Sequence, residues 1–329
     1  MNRPNLVRAA LAGAMVFAAI ASLPAAAQGG AWPTKPVKFV VPYPPGGSTD
    51  PMARLIAAKL SDSLGQPFVV ENRSGASGTI GTAFVAKSPA DGYTFIFVFD
   101  YHAVNPFLMP NLPFDTVKDL APVTLIGTAP MAIATAAAKP YKSFTDVVAA
   151  AKAKPGTVSI GSVGNGSLGH LTMVLVQQAS GIRLVHIPYR GGGPMTADAV
   201  GGQIDLAIGS VAVITPHVNG GKLRAVAVTG DTRSRALPDV PALAEQGLPG
   251  FSALAWWAVF APAGVPKPIM DKFHAELVKA FNLPDVRKLL TETLGIDLVV
   301  GPPEGLAQWL ETQMQRWGKV VRENNIRAD

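Results

Sequence analysis

The residues of this chain best suited to chemistry sit in three short turns. The first lies in VVPYPPGGSTDPMARLIAAKL, Val40 to Leu60, which reads as a strand end, a turn of prolines and glycines, and the first turns of a helix. Gly46 and Gly47 let a ligand approach the backbone, and Ser48, Thr49 and Asp50 are N-cap candidates before the helix at Pro51. No Lys or Arg falls between Val40 and Met52. Free N–H groups at a helix start, helped by the helix dipole, hold a carboxylate without a cationic side chain. On these residues alone a second reading stands level with it: Asp50 caps its own helix and the glycines only turn the chain.

The second turn lies in VSIGSVGNGSLGHLTMVLV, where Gly164, Gly166 and Gly169 spell G-x-G-x-x-G between a strand and a helix. A dinucleotide site also needs an acidic side chain about 20 residues on, and the next strand, IRLVHIPYR, has none. A nicotinamide or flavin is therefore not expected. A serine nucleophile elbow needs glycine on both sides; Ser167 has Asn165 two residues before it and Gly169 two after. His170 follows within the same turn, without a nearby acidic orienter, so hydrolysis is not expected there either. What remains is a nest of free amides with the hydroxyls of Ser162 and Ser167 and the amide of Asn165 at hand.

The third turn, FVFDYHAVNPF, puts Asp100, Tyr101, His102 and Asn105 at a strand end, as caps or as side chains that select a ligand. The five histidines, 102, 170, 186, 217 and 274, have no metal-ligand spacing, and no carboxylate pair stands out. No metal or cofactor is expected. Trp256 and Trp257 read as core or hinge packing.

The elements that must position these turns alternate between strand-length apolar runs and amphipathic helix-length segments: VKFVVPY, ARLIAAKLSDSL, PFVVENR, then TVSIGSV, LTMVLVQQAS, RLVHIPY and IDLAIGS. That order predicts an α/β fold with mostly parallel, doubly covered strands. DLAPVTLIGTAPMAIATAAA and GFSALAWWAVFAP, Gly250 to Pro262, are crossover candidates, with two helices after the second. VPYPPGGSTDPMARLI is echoed by IPYRGGGPMTADAV, Ile187 to Val200: strand, Pro-Tyr, glycines, Pro-Met, helix. Ligands of open parallel sheets sit where helix N-termini meet strand ends, so two such turns facing each other make a cleft.

The chain has 329 residues, room for two cores, and its 48% hydrophobic and 15% charged composition is globular. The opening segment has Arg3 and Arg8, an apolar run from Ala9 to Leu23, Pro24, and an A-x-A site at Ala25 and Ala27 before Gln28. It reads as a cleaved secretory signal over 1–27, hence a periplasmic protein. The absence of cysteine excludes disulfides, a thiol nucleophile and a lipid-modified cysteine. The formal charge of +6 is spread along the chain without basic runs, which argues against nucleic acid.

From Trp32 onward the chain resembles the solute-binding proteins of tripartite tricarboxylate transporters, the Bug or TctC-like family. The match rests on WPTKPVKFVVPYPPGGSTD, VVENRSGASGTIGTAFVAKSPADGYT, GSVGNGSLGHL, PYRGGGPMTADAVGGQIDLAIGS, LRAVAVTGDTRSRALPDVPALAEQG and APAGVPKPI, in that order. The resemblance implies a type II periplasmic binding protein (Venus flytrap) fold with a ligand cleft between two domains, here 32–127 with 256–329, and 128–255. It also implies a monomer that is not an enzyme, captures a small carboxylate, and delivers it to large and small integral-membrane subunits. A sensor feeding a membrane receptor would reuse the same fold. Carried over by motif, one carboxylate is held by backbone amides and bridging waters at Tyr43 to Asp50 and Ser162 to Ser167. These stretches supply Tyr43, Pro45, Gly46, Gly47, Ser48, Asp50, Ser162, Gly164, Asn165, Gly166 and Ser167 as binding residues. Arg190, Asp205 and the strand end at Asp100, Tyr101 and His102 are expected to shape the rest. FDYHAVNPF departs from the smaller, threonine-rich version expected of the family. Asp100 would repel a second carboxylate unless it points away or is paired, and Tyr101 and His102 would favour an aromatic or longer ligand.

Overall fold

The computed structural model describes residues 32–328, so the signal read over 1–27 lies outside the described residues. From Lys35 onward the chain folds as one compact unit. Its first strand, β1 (Val37–Val41), has Val37, Phe39, Val40 and Val41 fully buried. An apolar run without alternation belongs inside a parallel sheet covered on both faces. It pairs in parallel with β2 (Phe68–Asn72) and β3 (Thr94–Phe99), and helices α1 (Thr49–Leu64) and α2 (Thr79–Ala86) fill the crossovers. Phe39, Phe68, Phe95 and Phe97 form an aromatic core with Phe273, whose ring stacks on Phe68 at 6.1 Å.

β3 leads into α3 (Tyr101–Leu108), after which β4 (Leu120–Ala136) runs for 17 residues. Its first part, to Pro130, pairs with β9 (Leu254–Pro262); from Met131 onward it pairs with β7 (Leu206–Ser210) and β8 (Leu223–Val228). One strand therefore serves two halves of a sheet with the order β2-β1-β3-β9-β4-β7-β5-β6. In the second half β5 (Ser159–Ser162) lies parallel to β6 (Val185–Pro188) and to β7. Helices α4 (Phe144–Ala153), α5 (Leu168–Ser180), α6 (Gly192–Val200) and α7 (Val211–Asn219) join these strands.

The chain closes on the first half through α8 (Lys267–Phe281), α9 (Pro284–Lys288), β10 (Asp297–Leu298) and α10 (Pro303–Glu323). In α10, Leu306, Leu310, Trp317 and Val321 recur at helical spacing and are buried, the stripe a surface helix needs to dock. Of the two crossover candidates, β4 runs from one sheet half into the other, whereas β9 stays between β3 and the first part of β4. Both Trp256 and Trp257 are fully buried in β9, as core packing requires.

Candidate functional site

Between the two sheet halves lies a cavity of about 550 Å³. Tyr43, Gly47, Ser48 and Thr49 of the β1–α1 turn line it, with Val163, Gly164 and Asn165 after β5 and Tyr189 to Gly192 after β6. The glycines allow these turns to meet. A Cβ on Gly46 would lie 3.5 Å from Gly193 Cα, one on Gly192 would lie 3.5 Å from Gly47 Cα, and one on Gly191 would lie 3.1 Å from Pro44. The two echoed motifs of the sequence thus face each other backbone to backbone. Gly164, at φ +136°, is open only to glycine, because a Cβ there would lie 2.6 Å from the Tyr101 hydroxyl.

Helix starts surround the cavity. Ser48 is the N-cap of α1, Gly191 of α6 and Ser210 of α7, and all three line the wall. Neither Ser48 nor Ser210 spends its hydroxyl on capping its own helix. Among the described lining residues Arg190 is the one cation, at the exposed rim, and none is acidic. Met109, Met131, Val213 and Phe99 supply apolar wall. Such a cavity offers partial positive charge and hydrogen-bond donors at some points and apolar surface elsewhere, which suits an anionic head on a short hydrocarbon body.

The turn residues are held from behind. Ser48 Oγ accepts a bond from Trp257 Nε1 at 3.2 Å. Asp50 does not line the cavity: its Oδ1 accepts from Asn72 Nδ2 at 2.8 Å and its Oδ2 from Arg54 Nε at 3.0 Å, while Asn72 Nδ2 also donates to the Tyr43 carbonyl at 3.1 Å. The Tyr43 hydroxyl closes on Phe99, accepting its N–H at 3.1 Å and donating to its carbonyl at 3.3 Å, and burial pushes its pKa up. Pro45 and Gly46 stand beside the lining residues rather than among them.

The glycine-serine loop divides. Val163 to Asn165 reach the cavity, but Ser162, Gly166 and Ser167 do not. Gly166 N–H donates to His170 Nδ1 at 3.1 Å, and Ser167 caps α5 by accepting the His170 N–H at 3.1 Å. Ser162 Oγ lies 2.7 Å from His186 Nε2, and the rings of His170 and His186 stack with centroids 4.0 Å apart. Local capping took the amides and hydroxyls that the spacing had offered to a ligand.

Of the third turn, Tyr101 lines the cavity and donates from its hydroxyl to the Val163 carbonyl at 2.8 Å. Asp100 and His102 are 1% and 2% exposed and do not line it. Neither Asp100 oxygen makes a well-formed hydrogen bond, and burial pushes its pKa well above the carboxylate range, only partly offset by the nearby N–H groups of Leu168 and Tyr101. Burial pushes the pKa of His102 down to about 3. Asp205 lies away from the cavity as well. Its Oδ1 accepts from Lys139 Nζ at 2.8 Å and its Oδ2 from Ser159 N and Oγ at 2.9 Å, which fixes the start of β5 against β7.

Among the lining stretches that went unmarked as site residues in the sequence are Ser74 to Gly78, Gly209 with Ser210, and Met131 in β4. Ala76 and Ser77 hold positive φ, 45° and 53°, a conformation non-glycine residues rarely adopt and one that gathers at binding sites. SGASG is visible as a glycine-rich turn, but nothing in residue type announces that two non-glycines in it are left-handed. Among the described residues no group of His, Asp or Glu could hold a metal ion, and no helix is long and apolar enough to cross a membrane.

The model of the tripartite tricarboxylate transporter family receptor, TctC, matches residues 52–326. Protein BugT of Bordetella pertussis is 37% identical over 314 residues, covering 95% of this chain and 96% of BugT. Among solved structures, that of R. palustris Rpa4515 with adipate has a TM-score of 0.86 at 34% identity, covering 90% of this chain and 99% of that one. The periplasmic binding protein BugD has a TM-score of 0.84 at 31% identity, covering 91% and 100%. With this extent of sequence and fold in common, the chain belongs to the TctC family of tripartite tricarboxylate transporter receptors and has the mixed α/β fold of its periplasmic binding proteins.

Proposed function

We propose that this chain is a periplasmic solute-binding protein that captures a small carboxylate between the two halves of its sheet and hands it to the membrane subunits of a tripartite tricarboxylate-type transporter. The observation that carries the reading is the wall of the cavity, in which three helix starts and the glycine turns converge without one acidic side chain. Adipate in the relative at 34% identity supports a carboxylate with an apolar body. The switch of β4 near Pro130, from β9 to β7 and β8, supports two domains, 32–127 with 256–329 and 128–255, with β4 as one hinge strand and the entry to β9 near Leu254 as the other connection. Gly47, Ser48, Gly164 and Asn165 would hold the carboxylate, with Arg190 at the rim. Gly46, Gly166 and Ser167 would support those turns from outside the wall.

The test is a thermal shift of protein stripped of solute by unfolding and refolding, against a panel of mono- and dicarboxylates that includes adipate and malate. A ligand at ~100 times its Kd adds about 2.7 kcal/mol, enough for several degrees at this size. A shift with one class of acid is expected; a cooperatively folding protein that shifts with no member of the panel would overturn the reading.

A further inference from the structure

Asp100 is the buried charge-bearing group for which the binding site as described has no use. It ends β3 in the first sheet half, yet the second half helps to bury it: the Leu168 N–H at the start of α5 is close enough to influence its carboxyl. The same face of α3 makes two more contacts across the halves. Tyr101 Oη donates to the Val163 carbonyl at 2.8 Å, and Gly166 packs so tightly on Leu108 that a Cβ has no room. Leu168 follows directly on the Val163 to Ser167 loop, which must withdraw if the halves separate.

The surroundings of Asp100 are uncharged. From α3 come Tyr101, its hydroxyl committed to Val163, and His102, buried and neutral. From the β1–α1 turn comes Tyr43, its hydroxyl committed to Phe99. From α5 the nearest titratable group is His170, whose Nδ1 accepts the Gly166 N–H. Neither Asp100 oxygen makes a well-formed hydrogen bond, the Leu168 and Tyr101 N–H groups offset its burial only in part, and no Lys or Arg pairs with it among the described residues. An ionised carboxylate cannot be kept in such a place without a large desolvation cost, whereas water reaching it on opening would favour the ion.

We propose that solute capture is coupled to proton uptake: when the halves close over the carboxylate, Asp100 takes one proton from solvent onto a carboxyl oxygen, and gives it back when they open to release the solute. This rests on the carboxylate-capture reading above. The sign follows from linkage. The closed form holds the proton at a pH where the open form has lost it, so affinity is highest in acid and falls as pH rises above the ordinary aspartate range, by up to about tenfold per pH unit, until the closed form also ionises.

Calorimetric titration with adipate, or with the panel acid that gives the largest thermal shift, tests this at about pH 6–8 in buffers of different ionisation enthalpy. Those conditions lie above the range where simple carboxylic acids titrate. Wild type is expected to take up a proton, approaching one per solute bound, and to bind more weakly as pH rises. Asp100→Asn and Asp100→Leu, neutral in both forms, are expected to bind with no uptake and a flat profile; either folded variant suffices. Binding by wild type without proton uptake, or the same uptake in a variant, would overturn the coupling. Failure of every panel acid to bind would instead strike at the capture reading.

Discussion

The indole N–H of Trp257 donates to the Ser48 hydroxyl at 3.2 Å, tying the middle of β9 to the helix start that lines the cavity. A hydroxyl that accepts this bond still has its own proton to give, so Trp257 leaves Ser48 able to donate to an anion.

Trp257→Phe keeps most of the ring and removes that donor. Affinity for the best carboxylate should fall two- to tenfold, the ~0.5–1.5 kcal/mol of one hydrogen bond. In a Ser48→Ala background the same change should cost nothing further. Calorimetry on the four proteins of this cycle decides the point, because equal losses in both backgrounds would make Trp257 a packing residue only.

Gly47 lines the cavity, and a Cβ built on it meets no heavy atom within 4 Å. Gly47→Val therefore adds bulk at a wall position whose Cβ has open space around it. Binding should be lost while the unfolding free energy stays within ~0.5 kcal/mol of wild type. Intact affinity in this variant would move the solute away from the β1–α1 turn.

How far residue types reached is clearest in the two glycine turns. The strand, turn and helix of Val40 to Leu60 were legible because period and punctuation agree there, and the echo at Ile187 to Val200 announced the partner that meets it across the cavity. The loop from Ser162 to Ser167 was only half legible. Its amides looked free because local competitors are hidden in sequence: the imidazole of His170 takes the Gly166 N–H, and Ser167 caps its own helix. Asp205 and Arg190 were indistinguishable as isolated charges. A lysine 66 residues away claims the first, while the second stays at the rim. The seat of Ser210 at the cavity depends on the pairing of β7 with Met131, a long-range register no local pattern encodes.

Asp50 supports the first turn from outside it. Through Asn72, which also holds the Tyr43 carbonyl, it fixes the path of the chain into the cavity wall. Asp50→Ala takes one of two acceptors from the half-buried Asn72 amide and should lower stability by ~0.5–1.5 kcal/mol in urea unfolding, with a loss of affinity. Asp50→Asn, which keeps an acceptor oxygen, should recover most of both. If the Asn variant were as damaged as the Ala variant, the Arg54 ion pair rather than the Asn72 bond would be the support.

His102 gives the ligand-free protein a weakness toward acid. It is 2% exposed, packs against Phe260 with centroids 4.7 Å apart in the same sheet half, and has no partner for Nε2, so it stays buried whether or not the halves are closed. Its pKa of about 3 lies below the value near 6.5 of an unfolded chain. At a pH between the two, the unfolded chain binds a proton that the folded one refuses, so stability is full above about 6.5 and falls as pH drops toward 3, by up to ~1.4 kcal/mol per unit. Other carboxyls add their own acid limb near pH 4, which is why the difference between two proteins is the useful quantity. His102→Leu has nothing to protonate at this position. Urea unfolding of both proteins at about pH 6.5, 5.5 and 4.5 should show the variant gaining on wild type at each step down, from whatever offset the loss of the ring sets. Parallel curves would mean that His102 takes up its proton in the folded protein, and that water reaches the foot of α3 without unfolding.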